Sequence, residues 1–239
     1  GIPGKYIAAG PLASRWLQQQ FATDATLIRS GAQVLGEPAA GYLSHPGYAA
    51  LPKAPYRYQE MLGVIWRENP SCYLEDGEQA VLMAALMETD NAGRPLIDAW
   101  IKRSGLSADA WLEKLFEATV IPFYHLLCRY GVALIAHGQN VTLVMKDYVP
   151  QRILLKDFQG DMRLVDEDFP QAQSLPEQVK AVTARLSADY IIHDLQTGNF
   201  VTVLRFISRL TLQCGVSETR FYQILAGVLR EYMAAHPDL

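Results

Sequence analysis

Side chains that could bind a metal–nucleotide complex lie on both sides of one short segment of the chain. His137, Gln139 and Asn140 precede it in the run Ala-His-Gly-Gln-Asn, and Asp157 follows it in the run Asp-Phe-Gln-Gly. Amide and carboxylate oxygens are the ligands that a hard cation such as Mg²⁺ prefers, and Mg²⁺ normally arrives bound to nucleotide phosphates. These residue types therefore predict a Mg²⁺ and nucleotide site at Asn140 and Asp157. The alternative is a structural hairpin with polar ends.

The segment between Asn140 and Asp157 has the pattern of a β-hairpin. Its residues alternate with a period of two on both sides of a turn at 147–150, which contains Asp147 and Pro150. Such alternation around turn-forming residues is typical of two antiparallel strands. Because a hairpin brings its two ends together, we expect Asn140 and Asp157 to lie within reach of one ion.

The whole sequence predicts an α+β fold in one region, 1–239, with three parts. Residues 1–131 are expected to mix strands and helices, and residues 132–170 to contain the hairpin with the nucleotide and metal site. Residues 171–239 are expected to form a predominantly helical C-terminal bundle that packs against the hairpin. The hairpin itself should belong to an antiparallel sheet, the palm.

Local patterns predict the individual elements. In the N-terminal part we expect a loop over 1–10, a helix from Pro11, a weak strand over 26–37, a loop or tight antiparallel crossing over 38–56, and a short helix or strand over 57–67. Apolar periodicity predicts helices over 80–87 and 96–101, and a long helix capped by Ser107, kinked at Pro122 and ended by Gly131. A capping box at 174–177 predicts a helix as far as Tyr190, followed by helices over 200–210 and from Ser217.

Composition excludes several classes of protein. Of 239 residues, 50% are hydrophobic and 19% are charged, which is typical of a soluble globular protein with an ample core. The net charge of -4, without a basic block, argues against a nucleic-acid partner. The three cysteines have neither CxxC spacing nor an even count, which favours a reducing compartment. The sequence contains no apolar run of membrane-spanning length and no signal peptide, so we expect a cytoplasmic protein without a membrane partner.

Motif searches narrow the chemistry further. The sequence contains no GxSxG, HExxH or GxxxxGK[ST] motif. The arrangement is instead similar to a kinase core, in which an Asn and the Asp of Asp-Phe-Gly flank a hairpin and hold the metal. Here Asp157-Phe158-Gln159-Gly160 has one extra residue, and no Asp follows His137 at the position of the catalytic base. A metal site without that base favours nucleotide chemistry in which no substrate hydroxyl must be deprotonated.

Several runs together resemble the C-terminal half of the IucA/IucC family, the siderophore synthetases that work independently of nonribosomal peptide synthetases. They are Ala-His-Gly-Gln-Asn before the hairpin, Leu-Lys-Asp-Phe-Gln-Gly-Asp after it, the opening Gly-Ile-Pro-Gly-Lys-Tyr-Ile-Ala-Ala-Gly-Pro-Leu-Ala-Ser-Arg-Trp, and Leu-Gly-Glu-Pro-Ala-Ala-Gly-Tyr. The likeness extends over essentially the whole chain.

This resemblance implies a two-step ligase reaction and an α+β fold. ATP, with Mg²⁺, would adenylate a carboxylate of citrate or a citrate derivative and release pyrophosphate. An amine, hydroxylamine or alcohol would then attack the acyl-adenylate to form an amide or ester. The family also implies a homodimer.

The resemblance also assigns roles to individual residues. His137 matches the family's catalytic histidine beside the phosphates and the reacting carboxylate, where an imidazole would stabilise developing negative charge. Gln139, Asn140 and Asp157 match the positions around Mg²⁺ and the nucleotide. Two basic residues, Lys5 and Arg29, are weaker matches to the family's phosphate-binding positions.

Two departures from the family pattern limit the expected activity of this chain alone. The family's Ser/Thr-rich phosphate motif would lie before Gly1, and the acidic residue that many members carry two positions before the histidine is Ile135 here. We therefore expect the chain to be the C-terminal portion of a longer synthetase, and to bind ATP poorly and not turn over by itself.

Two other functions remain open at this point. One is a small-molecule kinase that uses the same Asn and Asp metal site. The other is a non-catalytic module for dimerisation or for handling iron–siderophore complexes, with a surface formed by the aromatic residues Phe200, Phe206, Phe221 and Tyr232. The simpler interpretation of these aromatic residues is that they form core stripes at helical spacing.

Overall fold

The computed structural model describes residues 4–53, 61–158 and 160–239 and combines helices with small sheets. Its helices are α1 (Gly4–Thr23), α2 (Ala25–Ser30), α3 (Pro46–Ala49), α4 (Leu96–Ser104), α5 (Ala108–Tyr130), α6 (Glu177–Lys180), α7 (Ala188–Leu195), α8 (Arg205–Leu210) and α9 (Glu218–Ala235). Its strands are β1 (Gln33–Val34), β2 (Ala39–Leu43), β3 (Met61–Trp66), β4 (Glu78–Leu82), β5 (Val132–Leu134), β6 (Val141–Lys146), β7 (Val149–Leu155), β8 (Met162–Val165) and β9 (Ala184–Leu186). The predicted α+β class is confirmed.

The predicted hairpin forms the centre of the largest described sheet. Strands β6 and β7 are antiparallel, with Val141 opposite Leu155, and the sheet has the order β1-β7-β6-β4. The turn is tighter than the predicted 147–150, because β7 already begins at Val149. Asp147 and Tyr148 have φ angles of 50° and 65°, as a two-residue type I′ turn requires.

The described part of the chain also contains two smaller sheets. Strands β2 and β3 pair antiparallel, which confirms the predicted crossing after residue 38 and the strand alternative for 57–67. Residues 54–60 of those two predicted segments lie outside the described residues. Strand β8 pairs antiparallel with β5 and parallel with β9.

The long helix α5 forms the centre of the hydrophobic core. As predicted, Ser107 caps it by accepting the N–H of Ala110 at 3.2 Å, and Gly131 ends it with φ 62°. Helix α5 packs against β7 on one side and α9 on the other, where the rings of Phe116 and Phe221 meet edge to face at 5.0 Å. The main packing partner of the C-terminal helix α9 is therefore α5, and its residues Val228 and Tyr232 line one groove with Pro150 and Gln151 of the hairpin.

The N-terminal predictions need two corrections. Helix α1 begins at Gly4, so the predicted loop over 1–10 is wrong in its described part and Pro11 lies inside the helix. Burial of one apolar face, including Trp16 and Leu17, outweighs the backbone hydrogen bond that proline removes. The predicted strand over 26–37 is instead helix α2, capped by Asp24, followed by the short strand β1.

Two predicted helices are also wrong, because pairing with distant strands decided those segments. The segment after Gly77 forms β4, which pairs with β6, and only then a 3₁₀ segment at Met83–Met87. The helix predicted from the 174–177 capping box is split into α6, β9 and α7. Strand preference depends on such neighbours more than on local pattern.

The last helices match their predicted positions. A π-helical segment at Gln196–Leu204 continues into α8, and Ser217 caps α9 by accepting the N–H of Arg220 at 3.1 Å. None of the helices in the described part combines the length and hydropathy that a bilayer-spanning helix needs.

Candidate active site

The two ends of the β6–β7 hairpin converge as the sequence predicts. The N–H of Lys156 donates to the carbonyl of Asn140 at 3.2 Å. Asn140, Lys156 and Asp157 line the same small cavity, together with Asp161 from the loop that follows the hairpin. The structure therefore brings Asn140 and Asp157 together.

Asn140 and His137 are both directed at Asp161. The Nδ2 of Asn140, a residue only 5% exposed, donates to Oδ2 of Asp161 at 3.0 Å. Nε2 of His137 lies 3.8 Å from the same oxygen. Because the amide nitrogen is used in this way, Oδ1 of Asn140 is the end of the side chain that can bind a cation. Gln139, the next predicted ligand, is exposed in the same turn.

Asp157 has a backbone conformation that is unusual for a residue other than glycine. Its φ angle is 63°, in the left-handed region. Its carboxylate contacts Nη2 of Arg67 and lies 2.7 Å from Nζ of Lys156. Its backbone N–H donates to the carboxylate of Glu37. Strained residues that are held by several partners in this way are concentrated at functional sites.

Glu37 and Arg67 support Asp157 from below. Oε1 of Glu37 accepts Nε of Arg67 at 3.2 Å and Nη2 at 2.8 Å, and the Glu37 side chain is fully buried. Burial raises the pKa of Glu37, although Arg67 opposes that shift. Glu37 is itself fixed by α1, since its backbone N–H donates to Oγ of Ser14 at 3.1 Å.

Packing with two other segments holds the loop that carries His137. Asn199, from the π-helical segment, donates its Nδ2 to the carbonyl of Ala136 at 3.0 Å. A Cβ atom on Gly198 would lie only 3.0 Å from Cα of Ile135, so the two backbones are in direct contact. On the other side, the N–H of Ala84 donates to the carbonyl of Gly138 at 3.0 Å. The imidazole is therefore carried by a braced loop.

Of the two predicted basic residues, only Arg29 has a described side chain. Lys5 is the second residue of α1, and its side chain lies outside the described part of the structure. Arg29, on α2, lines a groove of about 520 Å³ that also contains Gln151 and His236. Gln151 belongs to the turn end of the hairpin, opposite the end that carries Asn140. The structure therefore separates Arg29 from the other predicted residues.

Sequence reasoning did not single out four residues of this cluster: Glu37, Arg67, Lys156 and Asp161. Three of them stand inside runs that carried the family resemblance, Glu37 in Leu-Gly-Glu-Pro and the other two in Leu-Lys-Asp-Phe-Gln-Gly-Asp. Only Arg67 lies outside these runs. The position of Arg67 between Glu37 and Asp157 follows from the fold, because Arg67 comes directly after β3.

The donor set fits a cation that arrives with an anion. Asn140, Asp157 and Asp161 offer only oxygen atoms, as Mg²⁺ prefers, while Arg67 and Lys156 offer positive charge to an anion. Within the described ranges, no group of three or more His, Cys, Asp or Glu side chains could hold a metal alone. A cation here would need further oxygens from its ligand, as in a metal–phosphate complex.

Comparisons with known proteins identify the family of the chain. Residues 1–88 match the model of the IucA / IucC family, and residues 109–239 match a family described as ferric iron reductase FhuF-like transporter. The aerobactin synthase of Escherichia coli is 70% identical over 239 residues, which are 100% of this chain and 41% of the relative.

Two solved structures have the same fold. The aerobactin synthetase IucC from a hypervirulent pathotype of Klebsiella pneumoniae has a TM-score of 0.91 and 68% identity, covering 98% of this chain and 42% of its own. The petrobactin biosynthesis protein AsbB from Bacillus anthracis has a TM-score of 0.87 and 25% identity, covering 100% of this chain and 40% of its own.

The chain spans less than half the length of these relatives and matches their C-terminal part. The resemblance drawn from the motifs around the hairpin is thereby confirmed. The chain belongs to the IucA/IucC family of siderophore synthetases, and its residues 109–239 belong to the FhuF-like family as well.

Proposed function

We propose that this chain forms the Mg–ATP side of a siderophore synthetase. The enzyme adenylates a carboxylate of citrate or a citrate derivative and condenses it with an amine or hydroxylamine. The observation that carries the proposal is the convergence of Asn140, Asp157 and Asp161 with Arg67 and Lys156 at one end of the hairpin. Oxygen ligands for a hard cation and positive groups for phosphates thus occupy one place.

The residues divide the binding work by charge. Oδ1 of Asn140 and the carboxylate of Asp157 would hold Mg²⁺, with the exposed amide of Gln139 close enough in sequence to add a ligand. Bound Mg²⁺ and ATP would supply the adenylyl group for the carboxylate, with pyrophosphate as the leaving group. Lys156 and Arg67 would bind and orient negatively charged oxygens.

His137 is the group that can donate a hydrogen bond to a reacting oxygen at this site. Its Nε2 atom lies 3.8 Å from the carboxylate of Asp161. The imidazole would donate a hydrogen bond to the negatively charged oxygen that develops on the substrate, which lowers the barrier by electrostatic stabilisation. The braced loop holds the imidazole ready for this role.

The relatives favour particular substrates, and the family resemblance implies an assembly. The identity of 70% with an aerobactin synthase supports citrate, or a citrate derivative, and a hydroxamate-bearing lysine derivative as the two substrates. A cytoplasmic homodimer is the expected state, and light scattering of the purified synthetase measures it.

Nucleotide products distinguish this function from that of a small-molecule kinase. A synthetase that contains this chain is incubated with ATP, Mg²⁺, citrate and the amine, and the products are separated by chromatography. We expect AMP and pyrophosphate, formed only when citrate is present. Formation of ADP would indicate phosphoryl transfer and contradict the proposal. The 239-residue chain alone should release no pyrophosphate, and micromolar ATP affinity with turnover by that chain would contradict its role as one side of the site.

The FhuF-like match favours a second candidate function, the handling of a ferric siderophore by residues 109–239. Binding of a ferric siderophore to the chain would quench tryptophan fluorescence. Saturable quenching by the ferric complex, but not by the iron-free siderophore, would support this function over ligase chemistry.

A further inference from the structure

Asp157 has two partners of positive charge that a metal cation would repel. Nη2 of Arg67 contacts one carboxylate oxygen, and Nζ of Lys156 lies 2.7 Å from the other. If Asp157 ligates Mg²⁺, a guanidinium in direct contact with the same carboxylate meets a doubly charged ion at short range. Arg67 must then move away from Asp157 as the metal binds.

Arg67 cannot leave the site altogether, because Glu37 holds it. Oε1 of Glu37 accepts both Nε and Nη2 of Arg67, and the Glu37 side chain is fully buried. Removing one partner from a buried ion pair leaves an uncompensated charge, which costs far more than a surface pair is worth. Glu37 therefore keeps the Nε and Nη2 atoms of the guanidinium close to itself, while the contact of Nη2 with Asp157 can be given up.

The outward edge of Arg67 can receive an anion. The Arg67 side chain is 24% exposed, and the described structure assigns hydrogen bonds only to its Nε and Nη2 atoms. A planar guanidinium that is anchored on one edge and open on the other matches the two oxygens of a phosphate or carboxylate.

We propose that Arg67 is an exchangeable counter-ion. It neutralises Asp157 until Mg²⁺ binds, and it then passes its guanidinium to an oxyanion of the nucleotide or of the carboxylate substrate. Glu37 is the positioning residue that retains Arg67 during the exchange. This inference rests on the proposed function, because it requires a metal at Asp157.

The exchange predicts opposite effects on metal and anion binding. Arg67→Ala removes the competitor of Mg²⁺ at Asp157 and the receptor of the oxyanion together. Less Mg²⁺ should then be needed for half-maximal ATP binding, by severalfold, while the affinity for the oxyanion falls by about tenfold to hundredfold, as expected for loss of charge-assisted hydrogen bonds. A purely structural role would weaken both together.

The test is calorimetric binding with a synthetase that contains this chain. ATP is titrated at a series of Mg²⁺ concentrations, and citrate is titrated separately, into wild type, Arg67→Ala, Arg67→Lys and Glu37→Gln. Arg94→Ala is the matched control, since Arg94 forms an exposed pair with Asp90. Thermal unfolding verifies that each variant is folded, and Arg67→Lys, which keeps the charge, serves if the alanine variant does not fold.

Each outcome has a defined meaning. Weaker ATP binding alone assigns the oxyanion to phosphate, and weaker citrate binding alone assigns it to the substrate carboxylate. For Arg67→Ala, either result together with a reduced Mg²⁺ requirement supports the exchange. For Glu37→Gln, we expect a lower affinity for the anion without a reduced Mg²⁺ requirement. Unchanged anion affinity, or an increased Mg²⁺ requirement, in Arg67→Ala would overturn the inference. If the ATP affinity of the wild type does not depend on the Mg²⁺ concentration, the proposed function is overturned instead.

Discussion

Two charged clusters of this chain each pair an acidic residue with an arginine, but they differ in their surroundings. In the first, Asp24 caps α2 and its side chain is only 6% exposed. It accepts the hydroxyl of Tyr130 at 3.1 Å and lies 3.2 Å from Nε of Arg129 and 3.0 Å from Nε2 of His125. In the second, the candidate active site, the Asp157 side chain is 26% exposed beside a cavity and its backbone is strained.

Burial and neighbouring groups shift the pKa values of Asp24 and Tyr130 in the first cluster. Burial alone would raise the pKa of Asp24, but the N–H of Leu27 and the ring of His125 hold it below the ordinary value. Burial and the neighbouring Asp24 carboxylate raise the pKa of Tyr130 to about 12. The cluster joins the α1–α2 junction to α5.

The difference teaches which cluster serves stability and which serves function. The Asp24 cluster is enclosed and unstrained, so its interactions add to the free energy of unfolding. The Asp157 cluster is partly open and held in a strained conformation, so part of that free energy is given up for a positioned carboxylate. Substitutions in the two clusters should therefore have opposite consequences.

The largest effect is expected for Asp157→Asn in the proposed synthetase. If the carboxylate ligates Mg²⁺, its loss should raise the activation free energy of metal-dependent pyrophosphate release by about 3 kcal/mol or more. The rate should then fall roughly a hundredfold, while the fold persists. Steady-state kinetics over a range of Mg²⁺ concentrations measures the loss. Asp166→Asn, in an exposed pair with Arg185, is the control. Unchanged Mg²⁺ dependence would remove Asp157 from the metal site.

A comparable effect on stability is expected for Asp24→Ala. The change removes the cap of α2 and leaves Arg129 and the hydroxyl of Tyr130 without their partner, which should cost about 3 kcal/mol of unfolding free energy. Urea denaturation measures the cost, and Glu117→Ala, in an exposed pair with Lys114, should change stability by less than about 0.5 kcal/mol. ATP affinity of the folded protein should not change. A loss of affinity without a loss of stability would reverse the comparison.

A smaller effect concerns the pH dependence of stability. Burial lowers the pKa of His125, so the folded state keeps this ring neutral at a pH where the unfolded chain is already protonated. The stabilising contribution is thus present above the unfolded value of about 6.5 and is lost as pH falls below it.

Denaturation at pH 7.5 and pH 5.5 measures this contribution. His125→Gln should lose less stability than wild type between these values, although it is less stable at both. The exposed His193→Gln is the control and should keep the wild-type difference. If His125→Gln also keeps that difference, the pKa of His125 does not differ between the folded and unfolded states.

The smallest effect is expected for the stability of Asp157→Gly. Relief of the left-handed backbone should gain about 1 kcal/mol, and loss of the partly exposed ion pairs should cost about the same, so the net change should lie within about 1 kcal/mol. Asp147→Gly, at φ 50° in the hairpin turn, has the same backbone relief away from the site. Thermal denaturation compares the two variants, and a loss of several kcal/mol for Asp157→Gly would make this cluster a structural one.

Local sequence was sufficient wherever the information that decides a structure lies close together in the chain. Ser107 and Gly131 mark the ends of α5, Ser217 marks the start of α9, and period-two alternation marks the hairpin. The approach of Asn140 to Asp157 follows from that hairpin alone. Prediction from local sequence failed at β4 and β9, because a strand that pairs with a distant strand takes its stability from that partner rather than from its own pattern.

The sequence by itself therefore determined the hairpin, the polar residues at its ends and the family to which they point. Tertiary structure alone decided that Glu37 and Arg67, from the segments that follow β1 and β3, lie beneath Asp157, and that Arg29 does not. The physical reason is that the energy of an ion pair depends on the distance between its charges in space. The free energy that burial of a charge costs is offset only where packing brings a residue of opposite charge beside it. No local pattern carries that information.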